Sequence, residues 1–291
     1  MDATWLDRRF VANVGVATEH FQTLSVGSAD ARVRLAGKGL ETVVFVCDTP
    51  VFIEHYARLF ELLSPTMQVL CIELPGMGFS VPKGAYRFTR EEQAATVSAL
   101  LDALHLSACT LAFTCVGAYL APLIAASRAD LVRRVILIQA PSWEEGRRWA
   151  RRIDFDGKRV VATPYVGQVL VRVFRKRIAS RWFAKSLAPG RAEPFAATAV
   201  AAFDAGAAWA LASLVQSYFA DDQPELPVLR VPTLALWGEA DRTHWRTDKH
   251  SVLSLAPDAE LISLASAGHC PELEEPERFC DILQTFVSRF T

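Results

Sequence analysis

What is missing from these 291 residues narrows the field first. The six cysteines (Cys47, Cys71, Cys109, Cys115, Cys270, Cys280) show no CxxC pairing and no metal-ligand spacing. They read as free thiols, with no disulfide framework, no metal site and no cofactor expected. The first 16 residues have no apolar core; Asp7, Arg8 and Arg9 interrupt them. This argues against a secretory leader and predicts a cytoplasmic protein. The most apolar long stretch, 195–219, is dominated by alanine and interrupted by Asp204 and Gly206, a poor membrane span. Its Phe203, Leu211, Leu214 and Tyr218 fall near one face at helical spacing, which predicts a buried amphipathic helix instead. No internal repeat or low-complexity tract is present. No mix of basic and aromatic residues suggests nucleic-acid binding.

With 51% hydrophobic residues and a net charge of −1, the chain suits one substantial core, or one core with a smaller inserted domain. Residues 20–26 and 32–35 read as early strands, a candidate hairpin. Residues 42–46 form a continuous apolar run, as in a strand buried on both faces. A helix at 54–63 and a strand at 68–74 follow. Thr89 with Glu92 three residues on is a capping-box pattern opening a helix to about 104. Apolar residues 109–113, a helix-compatible segment 118–127 and a buried strand at 132–139 continue the alternation, which implies a parallel sheet covered by helices. The rhythm breaks after Pro141. Residues 142–224 contain no clear buried strand; 231–237 return to a core strand, 259–264 form a last one, and 276–290 form a helix with Phe279, Ile282, Leu283 and Phe286 on one face. The chain therefore divides into an α/β core, 1–141 and 225–291, and a helical insertion, 142–224.

Cys115 sits in Phe113-Thr114-Cys115-Val116-Gly117, between a strand and a helix. A thiol at the tip of such a turn is expected to be favoured as thiolate by the helix N-terminus; a cysteine in an apolar stretch is otherwise a small buried hydrophobe. A base candidate, His269, lies in a Gly/Pro-bounded loop after the last strand, and an acid candidate, Asp241, follows the 231–237 strand. Strand ends on one edge of a parallel sheet face one crevice, so the three loops can converge. Their chain order is nucleophile, acid, histidine.

On these motifs the sequence resembles the α/β-hydrolase-fold enzymes over nearly its whole length. Glu73-Leu74-Pro75-Gly76-Met77-Gly78-Phe79-Ser80 resembles the family loop D-x-P-G-x-G-x-S, and Cys47-Asp48-Thr49-Pro50 stands where the family has His-Gly-x-Pro. The resemblance implies a mostly parallel central sheet flanked by helices, with a helical cap after the sixth strand. It implies a Cys115-His269-Asp241 triad, with the amides of Thr49 and Val116 as oxyanion hole. Three departures stand out. Phe113 replaces the usual glycine and is expected to crowd the turn. Asp48 adds a carboxylate beside the oxyanion loop, and the nucleophile is Cys rather than Ser.

A thiol nucleophile exchanges acyl groups with thioesters at nearly balanced energy, so an acyl-transfer enzyme acting on a thioester, as thioesterase or offloading cyclase, is the leading expectation. A small-molecule lactone or ester hydrolase and a non-catalytic ligand-binding homologue are the alternatives. Residues 142–191 carry thirteen basic and four acidic residues. Such a surface attracts anionic partners, coenzyme A thioesters or an acidic acyl carrier protein, or is a solvated helix face. Trp143, Trp149, Trp182 and Trp209 are candidate pocket walls, His244 a second pocket group or a solvated loop residue, and His55, Glu54 and His20 structural.

Overall fold

The computed structural model describes residues 2–14, 21–154, 156–220 and 224–290. His20 lies outside them. A short helix α1 (Thr4–Val11) precedes a hairpin of β1 (Gln22–Val26) and β2 (Ala29–Ala36). Then come β3 (Thr42–Val46), a 3₁₀ turn (Ile53–Tyr56) leading into α2 (Ala57–Leu63), β4 (Gln68–Ile72), the two-residue β5 (Val81–Pro82) and α3 (Arg90–Ala103). After these, β6 (Cys109–Thr114) meets the one-turn α4 (Cys115–Ala118), which is followed by α5 (Leu120–Ser127) and β7 (Val132–Ile138). Without the short β5, β7 is the sixth strand of the sequence-based count.

Between β7 and β8 (Thr233–Gly238) the described residues form α6 (Trp143–Ile153), α7 (Val166–Ser186), α8 (Ala192–Asp204) and α9 (Leu211–Tyr218). A 3₁₀ turn (Lys249–Ser254), β9 (Glu260–Leu264), α10 (Pro271–Glu274) and α11 (Pro276–Ser288) complete the chain. The strands lie in the order β1-β2-β4-β3-β6-β7-β8-β9, with β5 beside β2. Pairing is antiparallel through β1, β2 and β4, and parallel from β4 to β9. This is the α/β-hydrolase fold. Every residue of β3, β6 and β8 is buried, which is why these strands read as unbroken apolar runs. The capping box holds: Thr89 Oγ1 accepts from the Glu92 amide, and the Glu92 carboxylate accepts from the Thr89 amide. No helix of the described residues is long and apolar enough to cross a membrane.

Two expectations change. The helix expected over 54–63 begins as the 3₁₀ turn. The one helix expected within 195–219 is two, because the chain leaves α8 at Asp204 and turns through Gly206 at φ +103°. The intervening alanines give the chain a thin edge: the amides of Ala208 and Ala210 donate to the carbonyls of Gly78 and Gly76, at 2.9 and 2.7 Å. A Cβ on Gly76 would come within 2.8 Å of the Ala210 methyl. The segment is therefore spent docking the helices between β7 and β8 onto the 73–80 loop rather than continuing a helix.

That loop has its own anchor. Arg32, fully buried on β2, pairs with Glu73 at 2.8 Å and with Glu54, and its guanidinium lies over the rings of Phe21 and Phe79. Glu73 also accepts from the Phe79 amide at 2.7 Å, and burial pushes its carboxyl up to about 7 against the pull of Arg32. A Cβ on Gly78 would lie 2.1 Å from Glu73 Oε2, so the longer acid is accommodated by a glycine at φ +53°. Removing one member of a buried ion pair leaves the other uncompensated. Arg32→Ala is expected to cost about 3–5 kcal/mol of unfolding free energy by urea titration; a loss below 1 kcal/mol would show that the pair is not an anchor.

Candidate active site

The carboxyl ends of β3, β6, β7, β8 and β9 open on one edge of the sheet. They carry, in turn, Asp48 and Thr49, Cys115, Gln139, Asp241 and His269. Cys115 has φ +50°, the left-handed conformation of a sharp strand-to-helix turn that pushes the side chain out at its tip. Gly117 makes room for the turn, since a Cβ there would sit 2.7 Å from Val46 Cγ2. The expected crowding by Phe113 does not prevent it: Phe113 is fully buried in β6, in register with Val46 and Leu137.

His269 Nδ1 lies 2.6 Å from Asp241 Oδ2. Asp241 is fixed in turn: its Oδ1 accepts from the amide and hydroxyl of Thr243, both at 2.7 Å, and its Oδ2 from Gln139 Nε2 at 3.2 Å. The His269 amide donates to Ser186 O at the end of α7. Trp149 stacks parallel to the imidazole and Trp182 meets it edge-on, with centroids 5.9 and 5.1 Å away, leaving His269 fully buried. Its Nε2 has no hydrogen-bond partner among the described residues, and Asp48 Oδ2 is 3.6 Å away. The Cys115 sulfur belongs to the same cluster: one ligand-type atom each from Asp48, Cys115 and His269 lies within 4.8 Å of the others.

The electrostatics correct the expected thiolate. Burial first, and then the Asp48 carboxylate, push the Cys115 thiol up to about 12, although His269 acts the other way. A one-turn helix is too short to offset both. Burial pulls the His269 imidazole down, but Cys115, Asp241 and Asp48 together hold its pKa well above the usual histidine value. Burial raises Asp48, opposed by His269, the Thr49 amide and the Cys115 thiol. For Asp241 the effects of His269 and His244, with the Thr243 hydrogen bond, exceed that of burial and lower its pKa.

Cys115 opens on a cavity of about 150 Å³ that is bordered by Asp48, Thr49, Val116 and an apolar wall including Trp149, Ile178, Trp182, Trp209, Leu214 and Phe219. The two expected oxyanion donors, Thr49 and Val116, thus flank the thiol; Val116 lies in the first turn of α4, where amides have no intrahelical partner. Trp143 does not border this cavity. It packs between Tyr119, Phe219 and Arg90 instead. His244 is not a solvated loop residue either: it is buried between Trp149 and Trp237, bonds Thr247 through Nδ1, and burial pulls it down to about 3, so it is neutral. A larger, more polar cleft of about 370 Å³ shares Ala150, Asp154, Val215 and Phe219 with the cavity and carries Arg87, Arg151 and Arg159.

Several supporting groups escaped the sequence reading. Gln139 both bonds Asp241 and clasps the backbone of Gly238; a polar residue ending an apolar strand was its only signal. Thr114 donates to Glu272 at 2.6 Å directly beneath Cys115. His55 bonds Phe195 O on α8, and Glu54 pairs with Arg32, so both have structural partners.

A profile of the alpha/beta hydrolase family matches residues 43–282, and the chain belongs to that family as a hydrolase. It is 26% identical, over 284 residues, to the pimeloyl-(acyl-carrier protein) methyl ester esterase of Xanthomonas oryzae pv. oryzae, covering 90% of this chain and 97% of that protein. Among solved structures it is similar to the enol-lactonase of Burkholderia xenovorans LB400 (TM-score 0.67, 20% identity, 92% and 100% of the two chains). A thermophilic esterase of Thermogutta terrifontis (0.68, 21%, 94% and 100%) and the epoxide hydrolase of Bacillus megaterium (0.71, 17%, 92% and 100%) share the fold as well.

Asp48→Asn removes the anion nearest the thiol, so Cys115 should react several-fold faster with iodoacetamide at pH 7, its rate profile moving to lower pH; an unchanged profile would rule out the coupling. Glu272 is buried without a cation bonded to it, and burial raises its carboxyl from 4.5 to about 7. A raised acid binds more protons folded than unfolded, so its contribution is fully present below pH 4.5 and is lost as pH rises through 7. Wild type should therefore lose about 3 kcal/mol relative to Glu272→Gln between pH 4.5 and 7, measured by denaturation at each pH.

Proposed function

We propose that the protein is a cysteine-dependent acyl hydrolase that cleaves a thioester or ester of an apolar acyl group. The observation that carries this reading is the 2.6 Å His269–Asp241 bond, with the unpartnered Nε2 beside a positive-φ Cys115 that borders an apolar cavity. Cys115 Sγ attacks the acyl carbonyl as its proton passes to His269 Nε2. Asp241 holds Nδ1–H and stabilises the imidazolium. The Val116 amide, joined by the Thr49 amide once it leaves the Asp48 carboxylate, stabilises the developing oxyanion. Collapse expels the thiol or alcohol with the proton from His269; a water, deprotonated by the same nitrogen, then releases the acid and restores the thiol.

Residues 142–224 serve as the cap of this site, over a core of 1–141 and 225–291. α6 and α7 supply Trp149, Ile178 and Trp182 to the cavity wall, and α9 supplies Leu214. The outer cleft carries Arg87, Arg151 and Arg159 against Asp2 and Asp154, and this positive balance favours a substrate whose carrier portion is anionic, such as a coenzyme A thioester or an acyl group on an acidic carrier protein. The Xanthomonas relative's acyl-carrier-protein ester agrees with a carrier-borne acyl group. Hydrolysis of a free lactone or ester is the second reading, favoured by the small volume of the inner cavity. Cyclisation instead of hydrolysis would require a carbanion, rather than water, to meet the acyl-enzyme.

Incubation with a panel of acyl thioesters, oxygen esters and lactones, read by intact-protein mass, tests the proposal. One acyl adduct per chain is expected, absent in Cys115→Ala, with turnover in that variant down by at least about a thousandfold. Full turnover without Cys115 would eliminate the mechanism. No adduct, no turnover and no difference between the two proteins would instead indicate a ligand-binding homologue.

A further inference from the structure

The cysteines carry no metal-ligand spacing in sequence, yet the fold assembles a metal-type ligand set from three distant loops. We propose that Asp48, Cys115 and His269 form a binding site for a thiophilic divalent cation of the zinc class, with three protein ligands and a fourth position facing the apolar cavity.

The distances fit. Sγ, an imidazole nitrogen and a carboxylate oxygen lie within 4.8 Å of one another, and His269 Nε2 is 3.6 Å from Asp48 Oδ2. Tetrahedral coordination, with bonds of about 2.0–2.1 Å to N and O and about 2.3 Å to S, separates ligand atoms by roughly 3.3–3.5 Å, so a small contraction suffices. The bonding capacity is also unspent: His269 Nε2 and Asp48 Oδ1 are buried and have no hydrogen-bond partner. Groups of this kind are rarely left bare in a dry interior.

The outer shell is already in place. His269 donates Nδ1–H to Asp241, the carboxylate–histidine arrangement that fixes the tautomer and aims the Nε2 lone pair at a metal. Asp241 is itself held by Thr243 and Gln139. A neighbouring cluster shows the contrast. Asp241, His244 and His269 also lie within 4.8 Å of one another, but Asp241 already accepts from Thr243, Gln139 and His269, leaving a cation little to bond.

Binding forms S–metal and N–metal bonds as the Cys115 thiol proton and the proton on His269 Nε2 leave to solvent; no redox change occurs. It sequesters the sulfur that the proposed acyl transfer uses, so the cation is a reversible inhibitor. The site itself does not depend on that activity.

Cobalt(II) alone, titrated into the full chain stripped of metal with a chelator, provides the test. A near-ultraviolet thiolate-to-cobalt band should saturate at one equivalent, disappear in Cys115→Ala and be displaced by zinc, and zinc should protect Cys115 from alkylation. The shape-conserving Asp48→Asn should weaken binding by at least about tenfold. No band, a full band in Cys115→Ala, or equal affinity in Asp48→Asn would overturn the site. A protein inert toward every acyl substrate can still give the band, and one that forms the acyl adduct can lack it, so the two proposals fail separately.

Discussion

The site depends on one short hydrogen bond in a dry place, His269 Nδ1 to Asp241 Oδ2 at 2.6 Å. It joins the loop after β8 to the loop after β9, and those loops meet because Gly238 has no side chain: a Cβ there would lie 1.8 Å from Gly268 O. Gln139 clasps Gly238 from β7, Ser186 O receives the His269 amide from α7, and Trp149 and Trp182 exclude water. In such a low-dielectric setting a satisfied charged pair is strengthened and an unsatisfied one is costly. This is why the ring of supporting groups is nearly complete around Asp241 and left open at only one atom of His269, Nε2.

Asp48 gives the open side its character. Where the family resemblance leads one to expect a glycine without a side chain, a buried carboxyl faces both thiol and imidazole. With burial, it leaves a thiol that holds its proton beside an imidazole made more basic by the anions around it. Two carboxylates flank one imidazole, Asp241 at Nδ1 and Asp48 at Nε2, but they are not equivalent. Asp241 has four hydrogen-bond donors and a lowered pKa, whereas Asp48 has an unpartnered oxygen and a raised one. A difference of that kind assigns a fixed structural anion to one position and an exchangeable group to the other.

The sequence displayed the fold through its fully buried strands. β3, β6 and β8 stand out as unbroken apolar runs, and the residues at their ends pointed to one edge. Contacts that cross between loops were hidden, because nothing in the local pattern of Gln139, Thr243 or Glu272 says which strand end will lie beside it. The sequence left His244 open between a pocket group and a solvated loop residue, since its burial comes from Trp149 on α6 and Trp237 on β8, neither of which periodicity can place next to it. The break at Asp204–Gly206 was in view as two residues; its cause, the docking of Ala208 and Ala210 on the 73–80 loop, was not. For the thiol, the helix that follows it was visible and the opposing carboxylate was too, yet deciding between them required knowing that the helix is one turn long and that Asp48 points inward.

Substrate choice follows from the same asymmetry. The inner cavity is walled by indole rings and aliphatic side chains, with Asp48, Thr49 and Cys115 as polar groups and Asp154 where it adjoins the larger cleft. Such a wall rewards apolar area but separates chains differing by one methylene by only about 1–3 kcal/mol, so it sets size more than identity. Finer selection falls to groups that lose a partner when the wrong ligand enters. At the inner end these are Asp48 and the Thr49 and Val116 amides; at the outer end they are the arginines of the larger cleft, two of which, Arg151 and Arg159, come from the segment between β7 and β8. That segment thus contributes to both ends of the path, the tryptophans against His269 and the cations at the mouth. For the proposed activity, exchanging it between relatives would change both cavity linings together, while the two partners of the His269–Asp241 bond stay on the core.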